Sequence, residues 1–210
     1  MKKAATLPVR KPFLTSLTEA QQNELLDDLN YLNMGEIKSF CRAHSIPFAI
    51  RVEGAQGKKR TEMDRKGVIL NRIRHFLKTG DVLPPTCFAA TVVCFDRFAK
   101  QLGPDDRLFY GQYDRQNRAA FGLLKRLTEG KFRDGAVARI VAREFWSRGE
   151  APTFRRYAAA WLEAFGKDRE VHPEWAFLTD RARGTAGADW KELRAKKAAG
   201  VMKRLREIGR

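Results

Sequence analysis

The chain has 210 residues, 43% of them hydrophobic, which allows a packed core and excludes wholesale disorder. Lys and Arg total 41 against 25 Asp and Glu, a formal net charge of +16 that favours a polyanionic partner such as DNA, RNA or an anionic membrane face. No apolar run reaches the length of a membrane-spanning helix. The excess is spread as +7 over residues 1–80, +4 over 81–166 and +5 over 167–210, so two contact surfaces are expected, one towards each end.

In chain order, the first 16 residues read as a flexible basic arm. Pro8 and Pro12 interrupt MKKAATLPVRKPF and no apolar core follows, so it is not expected to be a signal peptide, and a cytoplasmic location is the expectation. Leu17 to Leu32 predicts a helix capped by Thr18, with Leu25, Leu26, Leu29 and Leu32 at helical spacing. Met34 to His44 predicts a second, with Met34, Ile37, Phe40 and Cys41 in one stripe, ended by Ser45-Ile46-Pro47. Phe48, Ile50 and Val52 alternate with polar residues, as in a short strand or an extended arm, and Gly54, Gly57 and the Lys58-Lys59-Arg60 run make a loop. Asp64 to Lys78 predicts a third helix burying Val68, Ile69, Ile73, Phe76 and Leu77, with Gly80 near its stop.

Residues 81–104, with Pro84-Pro85 and Gly103-Pro104, read as a linker in which Ala90 to Gln101 has helical character. Helices are predicted over Asp105 to Arg126, Gly135 to Arg148 and from Thr153 through Phe165. A brief helix from Pro173 to Arg181 completes a bundle spanning 105–182. Gly184 and Gly187 form a hinge. Residues 183–210 hold a final helix, Trp190 to Ile208, with eight basic residues between Lys191 and Arg210. Strand signals are few, so the fold class expected is all-α.

Chemistry is sparse. His44, His75 and His172 are far apart, no zinc-type His or Cys spacing occurs, and no phosphate-cradling glycine loop or nucleophile elbow is present. Cys41, Cys87 and Cys94 are an odd set and read as small buried hydrophobes. Asp105, Asp106, Asp114 and Glu144 read as helix caps and surface groups rather than as nuclease ligands. No enzyme, metal or cofactor is expected.

The stretch Met34 to Gly80 carries Glu36, Ile37, Lys38, Cys41 and Ile46 in its first half and Lys66, Ile69, Arg72 and Ile73 in its second. This pattern resembles the SAP domain, a helix–extended loop–helix module that binds double-stranded DNA, and covers under a quarter of the chain. Ser45 and Asp64 stand where that family usually has glycine, and the loop from Phe48 to Met63 is longer than the family's. The resemblance implies a SAP-like domain over 17–80 and DNA contact by the loop and the start of the following helix. The candidate DNA-binding residues are therefore Lys58, Lys59, Arg60, Arg65, Lys66 and Arg72. Arg72 has the alternative of packing its stem on the module without touching DNA. Unpaired N–H groups at a helix start and nearby cations independently favour phosphate there.

Gly149, Pro152, Thr153, Phe154, Ala158 and Trp161 resemble a segment found downstream of SAP-like modules in bacterial proteins. Their turn is also similar to that of helix-turn-helix repressors, which would bring Arg155 and Arg156 to the major groove. The favoured alternative is a plain bundle with Phe154, Tyr157 and Trp161 as core. The expected function is non-enzymatic binding of double-stranded DNA, with RNA or ribosome binding and a protein-interaction adaptor as alternatives. The helical C-terminal half is a candidate surface for a protein partner, and a bacterial chain would sit on the nucleoid.

Overall fold

The structure is a computed structural model that describes residues 12–54, 62–96, 101–112, 117–167 and 188–208. The chain divides into two compact units. The first is Met1–Phe48, Met63–Pro85 and His172–Arg210, and the second is Ala49–Glu62 and Thr86–Val171.

In the first unit, a 3-10 turn, Phe13–Ser16, leads into α1, Glu19–Asp28. Thr18 caps α1 through a reciprocal box with Gln21, which satisfies two orphan amide donors at once. A second 3-10 turn, Leu29–Tyr31, follows, then α2, Met34–Ala43, with the same kind of box between Asn33 and Glu36. α3 is Lys66–Thr79, and it ends at Gly80, whose φ of 79° fits the left-handed stop. The last helix of the chain, α7 (Ala188–Ile208), belongs to this unit. One apolar cluster joins these elements: Leu25, Leu29, Ile37, Phe40, Ile69, Ile73 and Phe76 are buried together with Ala198, Val201 and Leu205 of α7.

The second unit corrects the all-α expectation. A three-stranded mixed sheet runs in the order β2-β1-β3, with β1 Ala49–Val52, β2 Glu62–Met63 and β3 Cys87–Phe88. β1 and β3 are parallel, pairing Arg51 with Cys87 and Val52 with Phe88. Val92, expected in a helix from Ala90 to Gln101, lies instead in a 3-10 turn, Ala90–Val92, after which Val93 bridges to Tyr110. Thr91, Val92 and Val93 are β-branched, which disfavours helix and suits extended chain.

The helix expected from Asp105 begins only at Arg118. α4 is Arg118–Leu127, capped by the Asn117 side chain, which accepts from the Ala120 amide at 3.1 Å. Ahead of it, Leu108 and Tyr110 are buried while Arg107 is exposed and Phe109 half-exposed, a period of two rather than 3.6. α5, Ala136–Ser147, and α6, Phe154–Lys167, complete the unit. Its core is aromatic: Phe88, Phe132, Phe154, Tyr157 and Trp161 are all at most 2% exposed. Two buried donors are matched to carbonyls, Trp146 Nε1 to Leu108 O at 3.0 Å and Tyr157 Oη to Ala138 O at 2.8 Å.

Gly111 holds the extended stretch in place. Its φ is 95°, and a Cβ there would lie 2.5 Å from the Cys94 carbonyl oxygen and 2.6 Å from the Phe95 ring. Gly111→Ala is expected to destabilise the protein by about 2–3 kcal/mol, read as a lower urea midpoint with unchanged slope.

Candidate nucleic-acid interface

α2 closes with its backbone turned left-handed at Ser45, φ 57°. The Ile46 amide reaches back to Cys41 O at 2.9 Å and the Ser45 amide to Arg42 O at 3.5 Å, the paired bonds of a Schellman stop. The serine therefore adopts the conformation that glycine usually supplies at this point.

The chain then leaves the first unit after Phe48 and re-enters it at Met63. At the re-entry the Asp64 amide donates to Phe48 O at 3.0 Å, while Asp64 Oδ1 accepts from the Arg65 amide at 2.9 Å. Asp64 Oδ2 accepts from Arg72 Nη2 at 2.9 Å, and both side chains of this pair are about 5% exposed or less. The other nitrogens of Arg72 donate to Pro47 O and Pro84 O, each at 3.2 Å. The acid at the start of α3 is thus neutralised from inside.

Of the six candidate residues, Lys58, Lys59 and Arg60 lie outside the described residues. Arg65 and Lys66 stand at the start of α3, each half-buried. The guanidinium of Arg72 is buried and bonded to Asp64 and two carbonyls, the arrangement of its packing alternative. Lys66 Nζ donates to Asn30 O at 2.7 Å. Arg74, not singled out from the sequence, donates to Leu26 O at 3.3 Å and Asn30 Oδ1 at 3.0 Å. The sequence did hold a signal for Arg72. Positions 69, 72, 73 and 76 are one helical stripe, and three of them are Ile, Ile and Phe.

The first turn of α3 has no acid, and Arg65, its N-cap, makes no side-chain capping bond. The start of α6 is the opposite case. The Phe154 and Arg155 amides donate to Asp106 O at 2.9 Å and Pro104 O at 2.8 Å, and the Arg156 amide donates to Thr153 Oγ1 at 3.2 Å. Arg155 pairs with Asp105 at 3.2 Å and Arg156 with Glu150 at 2.8 Å. Phe154, Tyr157 and Trp161 are core side chains.

α7 splits its cations between two sides. Arg194 pairs with Glu36 at 2.6 Å and donates to Tyr31 O at 3.0 Å, Lys197 pairs with Asp28 at 2.6 Å, and Arg204 pairs with Glu24 at 2.8 Å. Lys191, Lys196, Lys203 and Arg206 are exposed. The hydrogen bond and charge of Arg204 hold the Glu24 carboxyl below its usual range. Burial pushes the Cys41 thiol up to about 11, so it stays protonated at neutral pH. Burial, together with Glu53, also raises Cys87. Among the described residues no group of three His, Cys, Asp or Glu side chains could hold a metal ion, and no helix is long and apolar enough to cross a membrane.

Comparison with protein-family models, with curated proteins and with solved structures finds no match to this chain.

Arg72→Met strands a buried carboxylate and is expected to cost about 3–5 kcal/mol in chemical denaturation, whereas Asp64→Asn combined with Arg72→Met should cost less than the two single changes summed. A lowered folded-state carboxyl pKa stabilises above the unfolded value and loses that effect as pH falls. The stability difference between the parent chain and Glu24→Gln should therefore be present near about pH 7 and shrink as the pH falls through and below the ordinary carboxylate range. Thermal melts across that range give the comparison.

Proposed function

We propose that the chain is a non-enzymatic DNA-binding protein that grips the phosphate backbone of a duplex with little base specificity. The observation that carries this reading is the opening of α3, a 14-residue helix with no capping side chain and no acid in its first turn. It comes directly after a stretch of sequence in which Lys58, Lys59, Arg60, Arg65 and Lys66 fall within nine residues. Such a terminus attracts an anion, and each cation that neutralises a phosphate releases counterions. The resemblance of residues 34–80 to the SAP domain supports the same placement, and the Schellman stop at Ser45 removes one departure from that pattern. Arg72 acts as a positioning residue. The exposed cations of α7 supply a second, weaker contact that adds avidity. A DNA partner implies a cytoplasmic location, on the nucleoid if the chain is bacterial.

Replacing Lys58, Lys59 and Arg60 together with alanine should weaken binding to duplexes of every sequence and reduce the slope of log affinity against log salt by about 2–3. Anisotropy titrations at several salt concentrations measure both. An unchanged slope refutes the placement, and structured RNA outcompeting duplex at fixed salt refutes the choice of DNA.

A further inference from the structure

The second unit carries a groove of about 390 Å³ formed by Phe121 and Lys125 of α4 with Phe132, Arg133 and Asp134 of the connection to α5. That volume lies within the roughly 300–1,000 Å³ common for small-molecule sites. Arg118, Phe121, Gly122 and Lys125 recur at the spacing of one helical face. Phe132, 2% exposed, forms the floor, edge-on to Phe121 at 5.6 Å and 5.1 Å from Trp161. Phe121 is therefore an aromatic ring held rigidly at the rim rather than swallowed by the core. The ammonium of Lys125, an exposed residue, lies 5.1 Å from the centroid of the half-exposed Phe121 ring. No packing demands the glycine beside it, since a Cβ at Gly122 would meet only the Arg126 guanidinium at 3.9 Å. Arg133 is exposed on the same rim. α5 opens three residues after Arg133, with Gly135 as N-cap, no side-chain capping bond and no acid in its first turn.

A rim aromatic and two cations suit a particular guest. The ring offers a stacking surface for a flat base, and Lys125 can swing from the ring to an adjoining phosphate. Paired bases inside a duplex have no free face to offer. We propose that this groove is a subsite for an unpaired nucleotide of a single strand, with the base on Phe121 and its phosphates on Lys125 and Arg133. The site is independent of the 58–66 segment.

The test uses the full chain, a fluorescein-labelled single-stranded oligodeoxynucleotide, a blunt duplex, a free mononucleotide and inorganic polyphosphate. Losing one stacked base is worth about 5- to 100-fold in affinity, so Phe121→Leu should weaken single-strand binding by that much and leave duplex binding unchanged. Phe121→Trp should keep the affinity and show its fluorescence quenched by the strand. The pair Lys125→Ala and Arg133→Ala, both at exposed positions, should weaken single-strand binding and flatten its salt dependence, which keeps the test decisive if Phe121→Leu does not fold. Quenching by the mononucleotide alone would assign the site to free nucleotides as well as strands. Single-strand affinity unchanged in these variants, or polyphosphate competing as well as the strand, overturns the proposal. Failure of the parent chain to bind duplex would sink the 58–66 reading and leave this one standing.

Discussion

The first unit turns on one buried ion pair. Arg72 reaches Asp64, where the chain re-enters the unit, and also the carbonyls of Pro47 and Pro84, close to where it leaves. Three chain segments distant in sequence are thus fixed to one guanidinium. A planar group with five donors can do this, and a lysine could not satisfy the same geometry. Burying two charges is costly, and the cost is offset only because Asp64 also accepts the Arg65 amide and Arg72 spends its other nitrogens on carbonyls. The same pair fixes the residue that precedes the opening turn of α3.

The net charge overstates the surface available to a polyanion. Lys66, Arg74 and Arg194 converge on carbonyls at the end of α1 and the turn after it, at Asn30, Leu26 and Tyr31. Carbonyls near the end of a helix carry its negative pole, so cations there are favourable. Arg194, Lys197 and Arg204 are further held by Glu36, Asp28 and Glu24. Part of the basic excess therefore fastens α7 to the first unit beside the apolar contacts of Val201 and Leu205. Salt would weaken the exposed members of this set more than the buried pair at Arg72.

In the second unit the starts of two helices are satisfied differently. α6 begins with its amides bonded to Asp106 and Pro104 and its two arginines paired, which leaves little for a phosphate. α5 begins uncapped beside Arg133 and the rim of the Phe121 groove. Both helices have basic residues near their starts in the sequence, and only the environment of each start separates them.

Local chemistry was enough for α1, α2, α3 and α5. Thr18, Asn33 and Gly80 are caps and stops that act through neighbouring backbone, and the stripes of α1, α2, α3 and α5 need only a period of 3.6, so these elements are legible in the residues alone. The stacking of a nonlocal sheet was not. β3 is two residues long and pairs with a strand 36 positions earlier, too short a run for any pattern to reveal. Leu108 and Tyr110 alternate inside a stretch whose overall pattern predicts a helix, and Gly111 stands where the extended chain needs a positive φ. The candidate site divides in the same way. The cationic run and the start of α3 are properties of sequence, whereas the fate of each charge is tertiary. Arg72 went to Asp64 and Lys66 to Asn30 because a side chain chooses among partners that folding alone brings within reach.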